Sequence, residues 1–148
     1  MEVRRFLLII LVLAMAGTAA ELVLLQHYED WWQIVPLALI ALALLVLVWH
    51  GMTRGAASVR GFQVVMAMFV FSGAIGMGLH HTANAEFERE ADPSLSGFQL
   101  FREALSGATP ALAPGTMVQF GLLGLLYTYR HPRLDAAERE TRREEWDA

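Results

Sequence analysis

Four long apolar runs alternate with short polar segments along this chain. The runs extend over Phe6 to Leu25, Ile34 to Trp49, Phe62 to Leu79 and Met117 to Tyr129. A helix needs about 20 residues to cross the hydrocarbon core of a bilayer. With their flanking residues, the runs predict membrane-spanning helices over about 4–27, 32–50, 61–81 and 114–130. The predicted fold class is therefore an all-α integral membrane protein, in which residues 1–133 form a four-helix transmembrane bundle.

Two of these helices have an alternative interpretation at their N-terminal ends. The first run has the basic start and small residues of a signal peptide, but its apolar residues continue beyond Glu21 to Leu25. We therefore expect it to remain in the protein as the first helix. The fourth run reaches spanning length only from about Pro114, and a helix that enters from Pro110 fits equally well.

The connection between the third and fourth runs, residues 82–113, contains the signature of a further short helix. Asp92 is suited to cap a helix, Pro93 to occupy its first position and Gly107 to end it. Apolar side chains recur between them at helical spacing, at Leu95, Phe98, Phe101 and Leu105. These features predict an amphipathic helix over 93–106 that lies flat on the outer membrane interface.

The arginines predict the orientation of the helices across the membrane. The chain has no lysine, and six arginines lie on one side of a four-span arrangement, at positions 4, 5, 54, 60, 130 and 133. Because cytoplasmic loops carry an excess of basic residues, both termini are predicted to be cytoplasmic. The opposite side carries eight acidic residues and two arginines, a net charge of −6. The charged tail, 134–148, is then cytoplasmic, and the arginine-, alanine- and leucine-rich composition favours a bacterial inner membrane.

Composition narrows the classes of function. Hydrophobic residues make up 55% of the chain and charged residues 18%, whereas soluble domains carry about 25% charged residues. The difference excludes an ordinary soluble enzyme. A net charge of −4 without a basic stripe excludes a nucleic-acid partner. The absence of cysteine excludes thiol catalysis, cysteine-ligated zinc and iron–sulfur clusters. No nucleophile triad or phosphate-binding loop can be assembled, so the sequence favours a non-enzymatic role without deciding the question.

Histidines and carboxylates coincide on the acidic side of the predicted topology. Imidazole together with carboxylate is a normal ligand set for a divalent metal such as zinc, copper or iron. If the third helix continues beyond the membrane, Glu88 lies on the same face as His81. The candidate metal ligands are His27, His80, His81, Glu21 and Glu88. Alternatively, these histidines are interfacial residues that bond to loop carbonyls or water, and the acidic residues are solvated.

Glu21 is the only acidic residue inside an apolar run. A charge within the membrane is costly, so such groups usually face the bundle and find a partner there. We therefore expect Glu21 to face the bundle and to contact His80 or His81. The alternative is that Glu21 lies at the level of the lipid headgroups and extends into water.

Haem b is a further cofactor to consider. A b-type haem in a helical bundle takes axial histidines from two helices, and the candidate pairs are His27 with His80 or His81, and His50 with His131. All of these histidines lie at helix ends, so a haem is a weaker prediction than a divalent metal.

Small residues on the third and fourth helices predict close packing between helices. Among them are Gly73, Gly76, Gly121 and Gly124.

Two classes of function follow. The first is a non-enzymatic accessory or interaction subunit, with the lipid bilayer as its surroundings and a membrane protein or a second copy as its partner. The small soluble part and the lack of a recognised motif favour this class. The second is a metal- or cofactor-binding membrane protein that uses the outer histidine and carboxylate cluster for transport, storage or redox chemistry.

Overall fold

The computed structural model describes residues 2–147, and within this range the chain forms helices and no strands. The elements are α1 (Glu2–Leu24), α2 (Trp31–Thr53), α3 (Ala56–Ala91), α4 (Gly97–Leu105), α5 (Gly115–Thr128) and α6 (Pro132–Asp147). The predicted all-α class is confirmed. Three of the helices, α1, α2 and α3, are long and apolar enough to cross a membrane.

Four helices close a ring around one apolar core. α1 packs on α2, α2 on α3, α3 on α5, and α5 on α1. Burial of apolar side chains between them provides the main stabilisation of the arrangement. The core contains residues from all four helices, including Leu11, Met15, Leu39, Ile40, Phe62, Met66, Phe69, Met117 and Phe120. α4 and α6 lie outside the ring, and each packs against α3.

The ring has two ends, which differ in chemistry. The loop end carries the α1–α2 turn, residues 25–30, and the α3–α5 connection, residues 92–114. The termini end carries the start of α1, the α2–α3 turn, the end of α5 and α6. At the termini end the Arg4 guanidinium donates to the Tyr129 and Arg130 carbonyls, at 2.9 and 2.7 Å. Arg4 thus satisfies carbonyls at the C-terminal end of α5 and adds a favourable charge there.

Glycines allow α3 and α5 to approach closely. A Cβ atom at Gly121 would lie 2.6 Å from the Met66 carbonyl oxygen, and one at Gly73 would lie 2.8 Å from the Pro114 carbonyl oxygen. A Cβ atom at Gly76 would lie 2.8 Å from the Cβ atom of Pro114. The predicted role of these small residues in close helix packing is confirmed, and the packing lies within this chain.

Helix α3 extends further than its apolar run. It has 36 residues and ends at Ala91, so at a rise of about 1.5 Å per residue it is about 54 Å long. The hydrocarbon core of a bilayer is only about 30 Å thick. The helix therefore continues ten residues beyond the predicted span, which ends at residue 81, and His80 and His81 lie inside a continuous helix.

The predicted start of the loop helix is wrong. Asp92 follows the end of α3, and its N–H donates to the Glu88 carbonyl. Its carboxylate accepts from the Ser94 N–H at 2.9 Å and from the Ser94 hydroxyl at 2.6 Å, and these bonds hold the pKa of Asp92 below its usual range. The turn delays α4 to Gly97, whereas residue 93 was predicted.

α4 is amphipathic, as its spacing predicts, but it packs against α3. Leu100 and Ala104 are buried in that contact. Phe101 and Leu105 are more exposed, and Phe98 is 80% exposed. These three side chains lie on one side of α4, next to the buried face. This half of its apolar arc is therefore largely exposed, and Phe98 is its most exposed side chain.

Candidate functional site

Two of the predicted site residues meet at the loop end. His27 lies in the turn after α1, and His80 lies on α3, with their ring centroids 6.4 Å apart. The pair forms because α3 continues as a helix beyond its apolar run and carries His80 to the level of the α1–α2 turn. The Pro110 carbonyl, from the connection to α5, also lies beside the His80 ring.

His81 has different neighbours. Consecutive residues of a helix point about 100° apart, so His81 faces α4 while His80 faces the α1–α2 turn. The His81 ring lies 5.0 Å from the ring of Phe101, centroid to centroid. Among the described residues, Nδ1 of His80 and Nε2 of His81 are buried and have no hydrogen-bond partner. Buried polar atoms normally have a partner, so these two nitrogens mark places where a ligand or water can bind.

The five predicted metal ligands do not form one ligand set. Among residues 2–147, no group of three or more histidine and carboxylate side chains could hold a metal ion. His27 and His80 come together, and His81 turns away from them. Glu21 and Glu88 form no ion pair or side-chain hydrogen bond within the described chain, where the sole ion pair is Arg102–Glu103.

The expectation that Glu21 faces the bundle is wrong. Glu21 is exposed, one turn before α1 ends at Leu24. The inward face of α1 is set by Leu11 and Met15, which are buried. Eleven residues make almost a whole number of helical turns, so Leu22 continues this face and Glu21 falls to one side. Its position fits the alternative, a carboxylate that extends out of the bundle.

Asn84 is a buried polar residue, and the sequence pattern did not predict its structural role. It is 2% exposed, and its amide is fully bonded. Its Nδ2 donates to the carbonyls of Ala104, at 2.9 Å, and Thr109, at 2.7 Å. Its Oδ1 accepts from the N–H and the hydroxyl of Thr109, at 3.1 and 2.7 Å. A primary amide offers two donors and two acceptor positions, and all four are used.

These bonds fasten the loop to α3, and we call the group of Asn84, Ala104, Gly107 and Thr109 the Asn84 clamp. Gly107 completes it, because a Cβ atom there would lie 2.8 Å from the Asn84 side chain. Gly107 was predicted only to end a helix, but its lack of a side chain is what lets the loop close over Asn84. The loop end is therefore an ordered cap on the bundle.

A second histidine pair lies at the termini end. The rings of His50 and His131 are 5.6 Å apart, centroid to centroid. Nδ1 of His50 lies 2.8 Å from the Ser58 hydroxyl, and Nδ1 of His131 accepts from the Arg133 N–H at 3.4 Å. Burial, followed by the charges of His50, Arg4 and Arg133, lowers the pKa of His131 below its usual value. His131 is therefore neutral at pH 7 and supports the start of α6 as a hydrogen-bond acceptor.

The two ends thus offer different chemistry. The loop end combines a rigid cap, two unpartnered imidazole nitrogens, exposed aromatic side chains and eight of the fifteen acidic residues of the chain. The termini end combines the His50–His131 pair with Arg4, which bonds to two backbone carbonyls. Comparison of the chain with protein-family models, with curated proteins and with solved structures finds no match.

Proposed function

We propose that this protein is a non-enzymatic interaction subunit of a bacterial inner-membrane complex. It crosses the membrane four times with both termini in the cytoplasm, and its loop end binds a membrane-protein partner. The main observation in support of this proposal is the Asn84 clamp. A connection of more than twenty residues between α3 and α5 needs no internal order if it only joins two spans, whereas a binding surface gains affinity from being held in one conformation.

The arrangement of α5 supports the four-span topology. α5 has only 14 residues, about 21 Å, which is shorter than the hydrocarbon core. It nevertheless runs between the same two ends as α1, because Pro114 meets Gly76 near the loop end and Tyr129 accepts from Arg4 at the termini end. The turn at 111–114 covers the remaining distance, and the arginine distribution favours a cytoplasmic position for the termini end.

Exposed apolar side chains supply a surface for the partner. Phe87, Phe98 and Leu112 are 57%, 80% and 67% exposed at the loop end, and aromatic residues are enriched at the centres of protein interfaces. The net charge of −6 on this side would make two copies repel each other face to face. The charge therefore favours a different protein, with apolar pockets and a basic rim, over a second copy.

The partner surface can be tested by co-purification from the native membrane. We expect a membrane protein to co-purify in constant stoichiometry with the tagged wild type. The double variant Phe98→Ser, Phe101→Ser should reduce its yield at least about tenfold, because truncating central aromatic anchors costs 2 kcal/mol or more, where about 1.4 kcal/mol is tenfold. Trp146→Ser is the matched control, since Trp146 is 84% exposed but lies on α6 at the termini end. A monomer without a partner, or equal yields from both variants, would contradict the proposal.

Metal binding is the second candidate function, favoured by the His27–His80 contact and the unpartnered Nδ1 of His80. Two imidazoles at this spacing form an incomplete site, which a water or partner group would complete. Elemental analysis after zinc loading should then give about one equivalent of zinc, lost in His80→Gln and retained in His50→Gln. Equal zinc content in the wild type and His80→Gln would leave the interaction subunit as the sole proposal.

A further inference from the structure

The outer part of α3 and α4 border an open cleft of about 400 Å³, a volume within the usual size range of ligand sites. His81, Glu86 and Arg89 line it from α3, and Leu100 and Phe101 line it from α4. One wall of the cleft is therefore polar and charged, whereas the other is apolar. We call it the α3–α4 cleft.

The charged wall offers one cation and one anion to a ligand. Glu86 and Arg89 are three residues apart, so they lie on neighbouring positions of the same helix face. Neither forms an ion pair, since Arg102 with Glu103 is the sole pair in the described part of the chain. His81 also lines the cleft, and its Nε2 atom is buried without a hydrogen-bond partner among the described residues. The free groups suit a molecule that carries both a phosphate and an ammonium group.

The position of the cleft matches the lipid headgroup layer, an argument that rests on the topology proposed above. His80 lies at the level of the α1–α2 turn, where the apolar spans end. From His81 to Arg89 the helix rises about 12 Å. Hydrocarbon and headgroup layers together are about 40–45 Å thick, against about 30 Å for hydrocarbon alone. Arg89 can therefore reach back into a headgroup layer that begins beside His81.

We propose that the α3–α4 cleft binds the headgroup of a phosphoethanolamine lipid from the outer leaflet. The Arg89 guanidinium binds the phosphate through charge-assisted hydrogen bonds. The Glu86 carboxylate accepts from the ammonium group, and Nε2 of His81 bonds to a headgroup oxygen or to the ammonium group. Leu100 and Phe101 contact the glycerol and the first carbons of the acyl chains. This would be one specific lipid, in addition to those that surround the spans.

Lipid retention by the purified full-length protein tests the site. The protein, in detergent supplemented with equal amounts of phosphatidylethanolamine, phosphatidylcholine and phosphatidylglycerol, is examined by native mass spectrometry. We expect one retained phosphatidylethanolamine. Arg89→Gln should reduce its retention about tenfold, the value of one charged hydrogen bond. Glu86→Gln should shift the preference to phosphatidylglycerol, because this lipid has no ammonium group that needs the Glu86 carboxylate as a partner. The matched control is Arg102→Gln, because Arg102 lies on α4 and is already paired with Glu103 at 2.6 Å.

Two further experiments distinguish a failure of the lipid proposal from a failure of the topology on which it rests. Soluble glycerophosphoethanolamine should compete only weakly, since it lacks the acyl carbons that contact Phe101. Full competition would identify a soluble metabolite as the ligand and overturn the lipid proposal.

Because the chain has no cysteine, the variants Ser94→Cys and Thr141→Cys report the topology through their reaction with a membrane-impermeant maleimide. Ser94→Cys should be labelled in intact cells and Thr141→Cys only after lysis. Correct labelling without phosphatidylethanolamine selectivity overturns the cleft alone, and reversed labelling overturns the topology on which it rests.

Discussion

Asn84→Leu is expected to lower the free energy of unfolding by about 2–4 kcal/mol, although leucine is the more apolar residue. The change leaves the Ala104 and Thr109 carbonyls and the Thr109 N–H without the partners that they have at 2.7–3.1 Å. The Ala104 residue is fully buried, so water cannot replace the lost bond without opening the loop. Thermal unfolding in detergent should show the loss, and limited proteolysis should cut between residues 92 and 114 in the variant first.

Asn84→Asp gives a sharper version of the same test. The carboxylate keeps the acceptor that Thr109 uses but replaces the two donated hydrogens with a negative charge facing two carbonyl oxygens. Protonation of the new carboxyl group returns one donor, so this variant should be more stable at pH 5 than at pH 8, relative to wild type. Thr82→Ala is the control, because the Thr82 hydroxyl is exposed and bonds only to the Gly78 carbonyl of its own helix. If Asn84→Leu unfolds at the same temperature as the Thr82→Ala control, the order of the loop does not depend on the Asn84 clamp.

Gly121→Val is expected to have the other large effect, a loss of about 3 kcal/mol of stability. A Cβ atom at this position would lie 2.6 Å from the Met66 carbonyl oxygen and 3.0 Å from the Val70 nitrogen. Both are backbone atoms of α3, so no side-chain rotation can relieve the contact, and the two helices must move apart. Thermal unfolding of the purified variant measures the loss.

Two other glycines provide graded controls for this effect. Gly78→Val should change stability little, because nothing lies within 4 Å of a Cβ atom there. Gly124→Val should fall between the two, since its nearest contacts are the flexible Met66 side chain and the Phe62 ring. An equal loss at Gly78 and Gly121 would show that lost backbone flexibility or altered helix propensity, and not the α3–α5 contact, causes the destabilisation.

The length of α3 shows how far apolar patterning can be trusted. The apolar run ends near Leu79, and the predicted membrane span ends with it, at residue 81. In the structure the polar segment from Thr82 to Ala91 stays helical, because it consists mainly of good helix formers and packs against α4. Hydropathy reports how much of a helix can lie in hydrocarbon, whereas the end of the helix depends on its backbone and its neighbours. The capping signature of Asp92 and Pro93 failed for a different reason, because the Asp92 carboxylate closes a turn with Ser94 instead.

The candidate site was predictable in its residue types and its location, but not in its contacts. The sequence places His27, His80 and His81 at one end of the bundle, and the structure keeps them there. Which neighbour each imidazole meets depends on the rotation of α3 about its axis, and this is set by the glycine contacts with α5. His80 therefore turns to His27, and His81 turns to Phe101.

The sequence by itself determined the helical class, the apolar segments and the acidic character of the loops at one end, because these properties depend on composition along short stretches of chain. The tertiary structure decided which polar side chains are buried. Glu21 and Asn84 both lie on faces next to apolar neighbours, yet Glu21 is exposed and Asn84 is enclosed. The difference arises because the loop from Ala104 to Thr109 folds back over Asn84 and supplies all of its hydrogen-bond partners, whereas no segment of the described chain covers Glu21. Burial of a polar group depends on partners that are distant in sequence, and only the folded chain brings them together.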